Sequence, residues 1–480
     1  MEQKLVFEIK ESAQSIGWKV YRPKEKHSIV SETHLRRIIE FRNNKKIYEV
    51  KLPELSREET ELINNAIEMH RKNSVNSSAV ESFEFYCESN FIELENEQKK
   101  YLLKILEHAT CANGVLDSLL QDPELEEIAA IGIGKEKPVY VFDSKFGWLA
   151  TNIYFTSEEE VKRIINSMAG TLGRRITLQK PKLNAVLANG SRLNACIEPA
   201  TVSGPSITIR KFREDAFTPI DLVNFGSISF EQLAFLWIAI QSDCSILVCG
   251  NTGSGKTTLL NALLNFVPEH ERIISVEETP ELSIMHPQQV KLSVAEDLGI
   301  TMQELIVNTL RMRPDRVIIG EMRNREEVGA FMDTLLAGQG KGCFATFHAQ
   351  SGKEALARLS NLGAENDDLN ALDLIVTQKR WSSYSNGFAK ENRKVIEICE
   401  PETKHEKLGA EQVFGFDFEK NIFRKNSNGK KVCEKIMRAF SLDKNGIEQE
   451  LGNRMRFLKA LGKPKQGEFF DAINNYGKAN

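Results

Sequence analysis

The stretch "GNTGSGKTT" carries the most specific chemistry in the chain. Gly250, Asn251, Thr252, Gly253, Ser254, Gly255, Lys256, Thr257 and Thr258 satisfy the spacing G-x-x-x-x-G-K-[ST]. Glycines in such a loop let backbone N–H groups turn inward around a phosphate, and a helix starting at the lysine adds its own amides. Lys256 would then reach the β- and γ-phosphates of a nucleoside triphosphate, and the Thr257 hydroxyl would ligate magnesium. Three other segments end an apolar run on a residue that can join such a site. "RIISVEETPEL" delivers Glu277 and Glu278, with Glu281 just beyond. Adjacent side chains on an extended segment face opposite ways, so one of the pair reaches a metal directly. Thr257 and Glu278 are the expected metal ligands, with the choice between the two glutamates open. "RVIIGEMRN" places Gly320 where such strands often end in aspartate, and Glu321 follows. A carboxylate there can orient or deprotonate an attacking water, and the glycine would leave room for a ligand. "CFATFHAQS" delivers His348, a candidate γ-phosphate contact.

These residues need a frame that brings strand ends together. From about residue 227 to 400, short apolar runs alternate with helical patterns, the signature of a parallel sheet covered by helices. The expected strands are 245–249, 272–276, 316–320 and 343–347. In an open parallel sheet ligands bind beyond the carboxyl ends of the strands, where these acids fall. Upstream, "PVYVF" and "PSITIRKF" read as strands, and "TSEEEVKRIINSMAG" as a helix capped by Thr156 and Glu159. Another helix, "LPELSREETELINNAIEMH", has Ser56 and Glu59 in capping-box spacing.

With 480 residues, more than one core is expected. The expected division is an α+β accessory region at 1–75, a linker and helical segment at 76–112, an α+β domain at 113–215, a linker at 216–226, the nucleotide domain at 227–400 and a helical region at 401–480. A net charge of −4 and the lack of a basic stripe interleaved with aromatics argue against nucleic acid as a partner. Eight scattered cysteines without a C-x-x-C pair fit reduced thiols, neither a disulfide framework nor a zinc site. "MEQKLVFEIKESAQ" lacks the apolar core of a signal peptide. The most apolar stretch is interrupted at Gln241, Ser242 and Asp243, too early to span a bilayer. A cytoplasmic location is therefore expected, with any membrane role peripheral.

The four segments in this order resemble the secretion and type IV pilus ATPases: Walker A at 250–257, the acidic box at 272–282, an atypical Walker B at 314–323 and a His box at 338–349. "LLQDPELEEIAAIG", "GWLATNI", "LANGSRLNACIEP" and "SGPSITIRKF" are similar to that family's N-terminal domain, and "GNRMRFLKALG" and "AGQGKGCFATFHAQS" look like its archaeal branch. The resemblance implies a RecA-like P-loop NTPase core of α/β class, preceded by a PAS-like α+β domain and followed by a helical C-terminal region. It implies magnesium-dependent hydrolysis of ATP, with Glu321, Glu277 and Glu278 as the catalytic acids. It also implies that Arg192 and Arg210 sense the γ-phosphate from the N-terminal domain. It implies a hexameric ring of this chain at a polytopic membrane platform protein, moving pilin-like or secreted subunits. There are departures. The acidic box reads Glu277-Glu278 instead of Glu-Asp, Lys341 stands near the place of a first histidine, Val186 replaces a third arginine, and Asn324 replaces an acid. A RecA-like nucleic-acid translocase and a nucleotide-binding scaffold without turnover are the alternatives.

Overall fold

The structure, a computed structural model, describes residues 18–20, 26–51, 57–73, 78–110, 113–212, 216–295, 298–338, 341–385, 388–404 and 407–477. Ser56 and the N-terminal stretch "MEQKLVFEIKESAQ" lie outside them. The chain forms two compact units, residues 1–213 and 214–480.

The first unit begins with β1 (Trp18–Val20), β2 (His27–Glu32), β3 (Arg36–Phe41) and β4 (Lys46–Val50). Helices α1 (Arg57–Asn73), α2 (Ala79–Ser89), α3 (Asn96–Thr110) and α4 (Asp117–Leu120) follow. Then come β5 (Leu125–Ile131), β6 (Pro138–Asp143), β7 (Gly147–Phe155), α5 (Glu158–Gly170), β8 (Lys182–Val186), β9 (Arg192–Cys196) and β10 (Ser206–Arg210). The strands make one sheet, ordered β2-β3-β4-β7-β6-β5-β10-β9-β8 with β1 pairing β7. The early strands are therefore continuous with the later ones, and an accessory region ending at 75 does not separate them. A buried ionic knot joins the two parts. Arg36 Nε lies 2.7 Å from Asp122 Oδ2 and its Nη2 3.2 Å from Asp143 Oδ2, while the Tyr48 hydroxyl donates to Asp122 at 2.7 Å. Helices α1 to α3 have a small core of their own, built from Ile63, Ala66, Phe83, Leu102 and Leu106. The cap of α5 is Ser157, which accepts from the Glu160 amide, one residue later than the expected Thr156–Glu159 pair.

The second unit opens with α6 (Pro219–Asn224), α7 (Phe230–Gln241), β11 (Ile246–Gly250), α8 (Lys256–Leu264), β12 (Ile273–Glu277) and β13 (Gln289–Ser293). It continues through α9 (Met302–Thr309), β14 (Arg316–Met322), α10 (Arg325–Leu336), β15 (Cys343–Phe347) and α11 (Gly352–Asn361). Strands β16 (Leu374–Ser385), β17 (Phe388–Lys404), β18 (Lys407–Asp417) and β19 (Ile422–Lys425) precede helices α12 (Lys430–Phe440), α13 (Lys444–Ala460) and α14 (Gln466–Asn475). The sheet order is β13-β12-β14-β15-β11-β16-β17-β18-β19. Pairings are parallel from β13 to β16 and antiparallel beyond it. The sheet thus runs past residue 401 to 425, and the helical region starts at 430.

Both faces of the parallel part are covered, which is why its strands read as unbroken apolar runs. In β11, Ile246 and Val248 join the core beneath α7 and α8, while Leu247 and Cys249 join the opposite core with α10 and α11. Helix α7, the most apolar stretch of the sequence, is buried from Gln232 to Ile240. Among the described residues no helix is long and apolar enough to cross a membrane, and the described cysteines are free thiols.

Candidate functional site

In the second unit β11 feeds directly into the glycine loop, which ends at α8. Gly253 and Gly255 take φ values of +70° and +93°, a region that side chains disfavour. Most helices here begin on a side-chain cap; Thr218, Ser229, Thr301, Asn324 and Ser351 each accept a hydrogen bond from their helix's first turn. Helix α8 begins on Gly255 without a side-chain cap, so its first amides keep their capacity for an anion. Thr257 lies in that first turn and is half-buried. The loop is fastened on one side to β16. Asn251 donates through Nδ2 to the Arg380 carbonyl at 3.0 Å and accepts the Arg380 amide at 2.9 Å. The Arg380 guanidinium lies against Gly253, where a Cβ would come within 2.6 Å of Nη1.

On the other side, Lys256 meets His348 and Glu321. Its Nζ is 3.4 Å from both ring nitrogens of His348 and 4.0 Å from Glu321 Oε1, and His348 Nε2 is 2.7 Å from that same oxygen. This follows from strand order, because β15, which delivers His348, lies between the lysine's strand and the glutamate's strand. A bulge aims Glu321. The β14–β15 register runs Ile319↔Ala345 and then Met322↔Phe347, so Gly320 and Glu321 together face Thr346. The Thr346 hydroxyl donates to the Gly320 carbonyl at 2.5 Å and fixes the bulge.

Arg323 follows immediately. Its Nε and Nη2 reach Glu321 Oε2 at 2.8 and 2.7 Å, and its Nη1 pairs with Glu278. Lys256, His348, Glu321, Arg323 and Glu278 therefore form one chain of contacts along the strand ends. Burial would raise the Glu321 carboxyl, but the Arg323 hydrogen bond and the charges of Arg323 and Lys256 outweigh it and hold it below the usual range. Burial and the Lys256 charge lower the His348 imidazole, which favours a neutral ring able to donate to Glu321.

The two consecutive glutamates separate. Glu277 is buried, and its Oε1 accepts the amides of Glu281 at 2.9 Å and Leu282 at 3.2 Å, closing the turn after β12. Burial pushes its carboxyl up to about 7 against those two bonds. Glu278 is the exposed one, and only it enters the ionic chain. The space beside Gly320 is filled by Glu277, whose Cγ would sit 3.1 Å from an added Cβ. The glycine thus accommodates the neighbouring acid and leaves no gap there for a ligand.

The other departures have local explanations. Asn324 accepts the Glu327 amide at 2.9 Å and caps α10, a task for which Asn and Asp are equally suited. Lys341 lies before β15, at the opposite edge of the sheet from the glycine loop, and pairs with Glu271 at 3.1 Å. In the first unit, Arg192 and Arg210 stand directly across from each other on β9 and β10. Glu127 continues that row on β5, and Val186 continues it on β8. Arg380 and Gln378, whose side-chain amide lies beside Gly255 with Nε2 3.4 Å from where a Cβ would be, went unrecognised in the sequence, although "LIVTQKR" has the grammar of the other three segments, an apolar run ending on polar residues.

Among the described residues no group of three or more His, Cys, Asp or Glu is gathered that could hold a metal by itself. A magnesium ion between protein and phosphates takes few protein ligands, and Thr257 in the first turn of α8 and the exposed Glu278 just beyond β12 carry the kind of oxygen donors such an ion uses.

The family described as "Type II/IV secretion system protein" has a model that matches residues 130–419. The chain belongs to this family. An uncharacterised protein of Methanocaldococcus jannaschii is 32% identical over 389 residues, covering 78% of this chain and 69% of its own. A second from that organism is 42% identical over 224 residues, and the match spans only 31% of that protein's length. The type IV secretion system protein VirB11 of Bartonella quintana is 28% identical over 343 residues, 61% of this chain and 92% of its own. Among solved structures, the VirB11 ATPase of the Brucella suis type IV secretion system has 25% identity and a TM-score of 0.30, with 62% of this chain and 96% of that one covered. The pilus retraction motor PilT with bound ADP has 18% identity and a TM-score of 0.40, with 58% and 80% covered. The matched residues run from the end of β5 to just past β18, and so take in the parallel sheet that carries the glycine loop.

Proposed function

We propose that this chain is an ATP-hydrolysing motor that forms a hexameric ring at the inner face of the cell membrane and drives pilus-like assembly or protein secretion through a polytopic platform protein. The observation that carries the reading is the unbroken run Lys256–His348–Glu321–Arg323–Glu278 beside a glycine loop whose helix starts uncapped. Lys256 and the amides of the loop bind the phosphates. Glu321, aimed by the bulge and oriented by His348, accepts a proton from the attacking water. Glu278 and the Thr257 hydroxyl would hold magnesium, which would supply positive charge to offset that of the phosphates. Glu277 shapes the turn that presents Glu278. Arg192 and Arg210, opposite each other on β9 and β10, are the proposed γ-phosphate sensors, because a planar guanidinium clamps phosphate oxygens well.

The test is phosphate release from ATP with and without magnesium. Lys256→Ala should abolish nucleotide binding. Glu321→Gln should keep binding and lower turnover by roughly 10²- to 10⁴-fold. Wild-type turnover in Glu321→Gln would remove that residue from the chemistry, and no phosphate release by the unaltered ring would favour a scaffold.

A further inference from the structure

Arg323 occupies the place between two acids delivered by neighbouring strands. Its side chain holds Glu321, from the end of β14, through two nitrogens, and holds Glu278, just beyond β12, through the third. Its backbone is anchored separately, because the Arg323 amide donates to the Glu327 carboxylate of α10 at 2.6 Å. The side chain can therefore swing out while the main chain stays in place. All three side chains are accessible, at 50% for Arg323, 43% for Glu278 and 24% for Glu321. Exposed ion pairs of this kind are weak and exchange readily. Resting on the nucleotide-site reading above, we propose that Arg323 is a positioning residue that stands in for the divalent cation in the metal-free site. It pairs Glu278 with Glu321 until metal and nucleotide arrive, and it must release Glu278 for the metal to bind.

This makes the guanidinium a competitor of the metal, which a purely structural role would not. The planar fork serves both carboxylates at once, and a divalent ion near the same oxygens cannot coexist with it in that pose. Removing the charge should therefore strengthen metal binding even though it removes two ion pairs. A residue that merely shaped the site would weaken metal binding when replaced.

The experiment is Mn²⁺ titration of the full chain with saturating ADP, followed by the loss of the free Mn²⁺ paramagnetic resonance signal. ADP affinity is measured in parallel in EDTA. Arg323→Gln should bind Mn²⁺ about five- to tenfold more tightly than the unaltered chain, as expected for the loss of two weak competing contacts. Its metal-free ADP affinity should change by less than about twofold. Glu278→Gln should weaken Mn²⁺ binding, and the double variant should bind like Glu278→Gln alone. Unchanged or weaker Mn²⁺ binding in Arg323→Gln overturns the proposal. An unaltered chain that binds ADP but takes up no Mn²⁺ overturns the magnesium-site reading instead.

Discussion

Strand β14 has an arginine at each end, and each one bridges two acids. Arg316 starts the strand, with Nε 2.6 Å from Glu271 Oε2 and Nη2 3.1 Å from Asp243 Oδ1. Arg323 follows its last residue and bridges Glu321 and Glu278. The chemistry is nearly the same and the settings are opposite. The Arg316 side chain is 0% exposed and Glu271 is 3% exposed, with Lys341 as a second partner for that glutamate. Arg323 is half exposed and lies at the edge where the glycine loop opens. Strand β12 repeats the contrast. Glu271, just before it, is buried against cations, whereas Glu277, its last residue, is buried against backbone amides and leaves Oε2 without a hydrogen-bond partner. One edge of the sheet centres on a buried arginine–glutamate pair flanked by the exposed Asp243 and Lys341, and at the other edge the arginine itself and both its acids are accessible. Stability and binding are thus drawn from the same residue types at opposite ends of the same strands.

The comparison breaks most visibly at Arg316. Arg316→Ala leaves a buried glutamate short of its main partner, and removal of one half of a buried pair costs about 3–5 kcal/mol. The remaining Lys341 contact puts the expected loss near the low end. Arg323→Gln should cost less than about 1 kcal/mol, because its pairs are exposed. Urea unfolding of the second unit's transition measures both. Equal losses would mean that the two edges are not different in kind.

Glu277 gives the next effect, and its sign is set by burial. The carboxyl titrates near 7 in the fold against an ordinary value of 4.5. The native state therefore holds the proton more tightly than the unfolded chain. That contribution is fully present below about pH 4.5 and is lost as pH rises through 7. The shift corresponds to about 3 kcal/mol. Relative to Glu277→Gln, the unaltered protein should lose roughly that much stability between pH 4.5 and 8. A flat difference across this range in unfolding midpoints would show that Glu277 is ionised and paired in solution.

Much of this was legible in the sequence, for a physical reason. Strands covered on both faces must be apolar throughout, so 245–249, 272–276, 316–320 and 343–347 stood out within a residue or two of β11, β12, β14 and β15 at their starts. The polar residues that end them had to lie at one edge of the sheet, which brought Lys256, Glu321 and His348 together. What local sequence does not encode is register. The bulge at Gly320 and Glu321 depends on pairing with Thr346, some twenty-five residues away, and the inward place of Glu277 depends on the room beside Gly320 on that neighbouring strand. At α5 two overlapping caps, Thr156–Glu159 and Ser157–Glu160, have identical spacing, and only packing chooses the second. The early strands β2 to β4 reach their sheet through a long-range pairing of β4 with β7, a contact that no composition shift announces.

The smallest effect tests how the two flanks of the glycine loop differ. Toward β15 the loop meets the exchangeable ionic chain; toward β16 it is tied by the two Asn251–Arg380 bonds, both to backbone atoms. Such neutral bonds contribute about 1 kcal/mol each, so Asn251→Ala should lower stability by about 1–2 kcal/mol. Its larger meaning is in binding. A loop freed from β16 must be ordered again by the nucleotide, so affinity for a non-hydrolysable ATP analogue should fall by about three- to tenfold, while turnover at saturating ATP stays within about twofold. Calorimetric titration and steady-state kinetics separate the two quantities. If turnover fell as far as affinity, the β16 flank would be part of the reacting site, and the division between a fixed flank and an exchangeable one would have to be redrawn with Arg380 on the catalytic side.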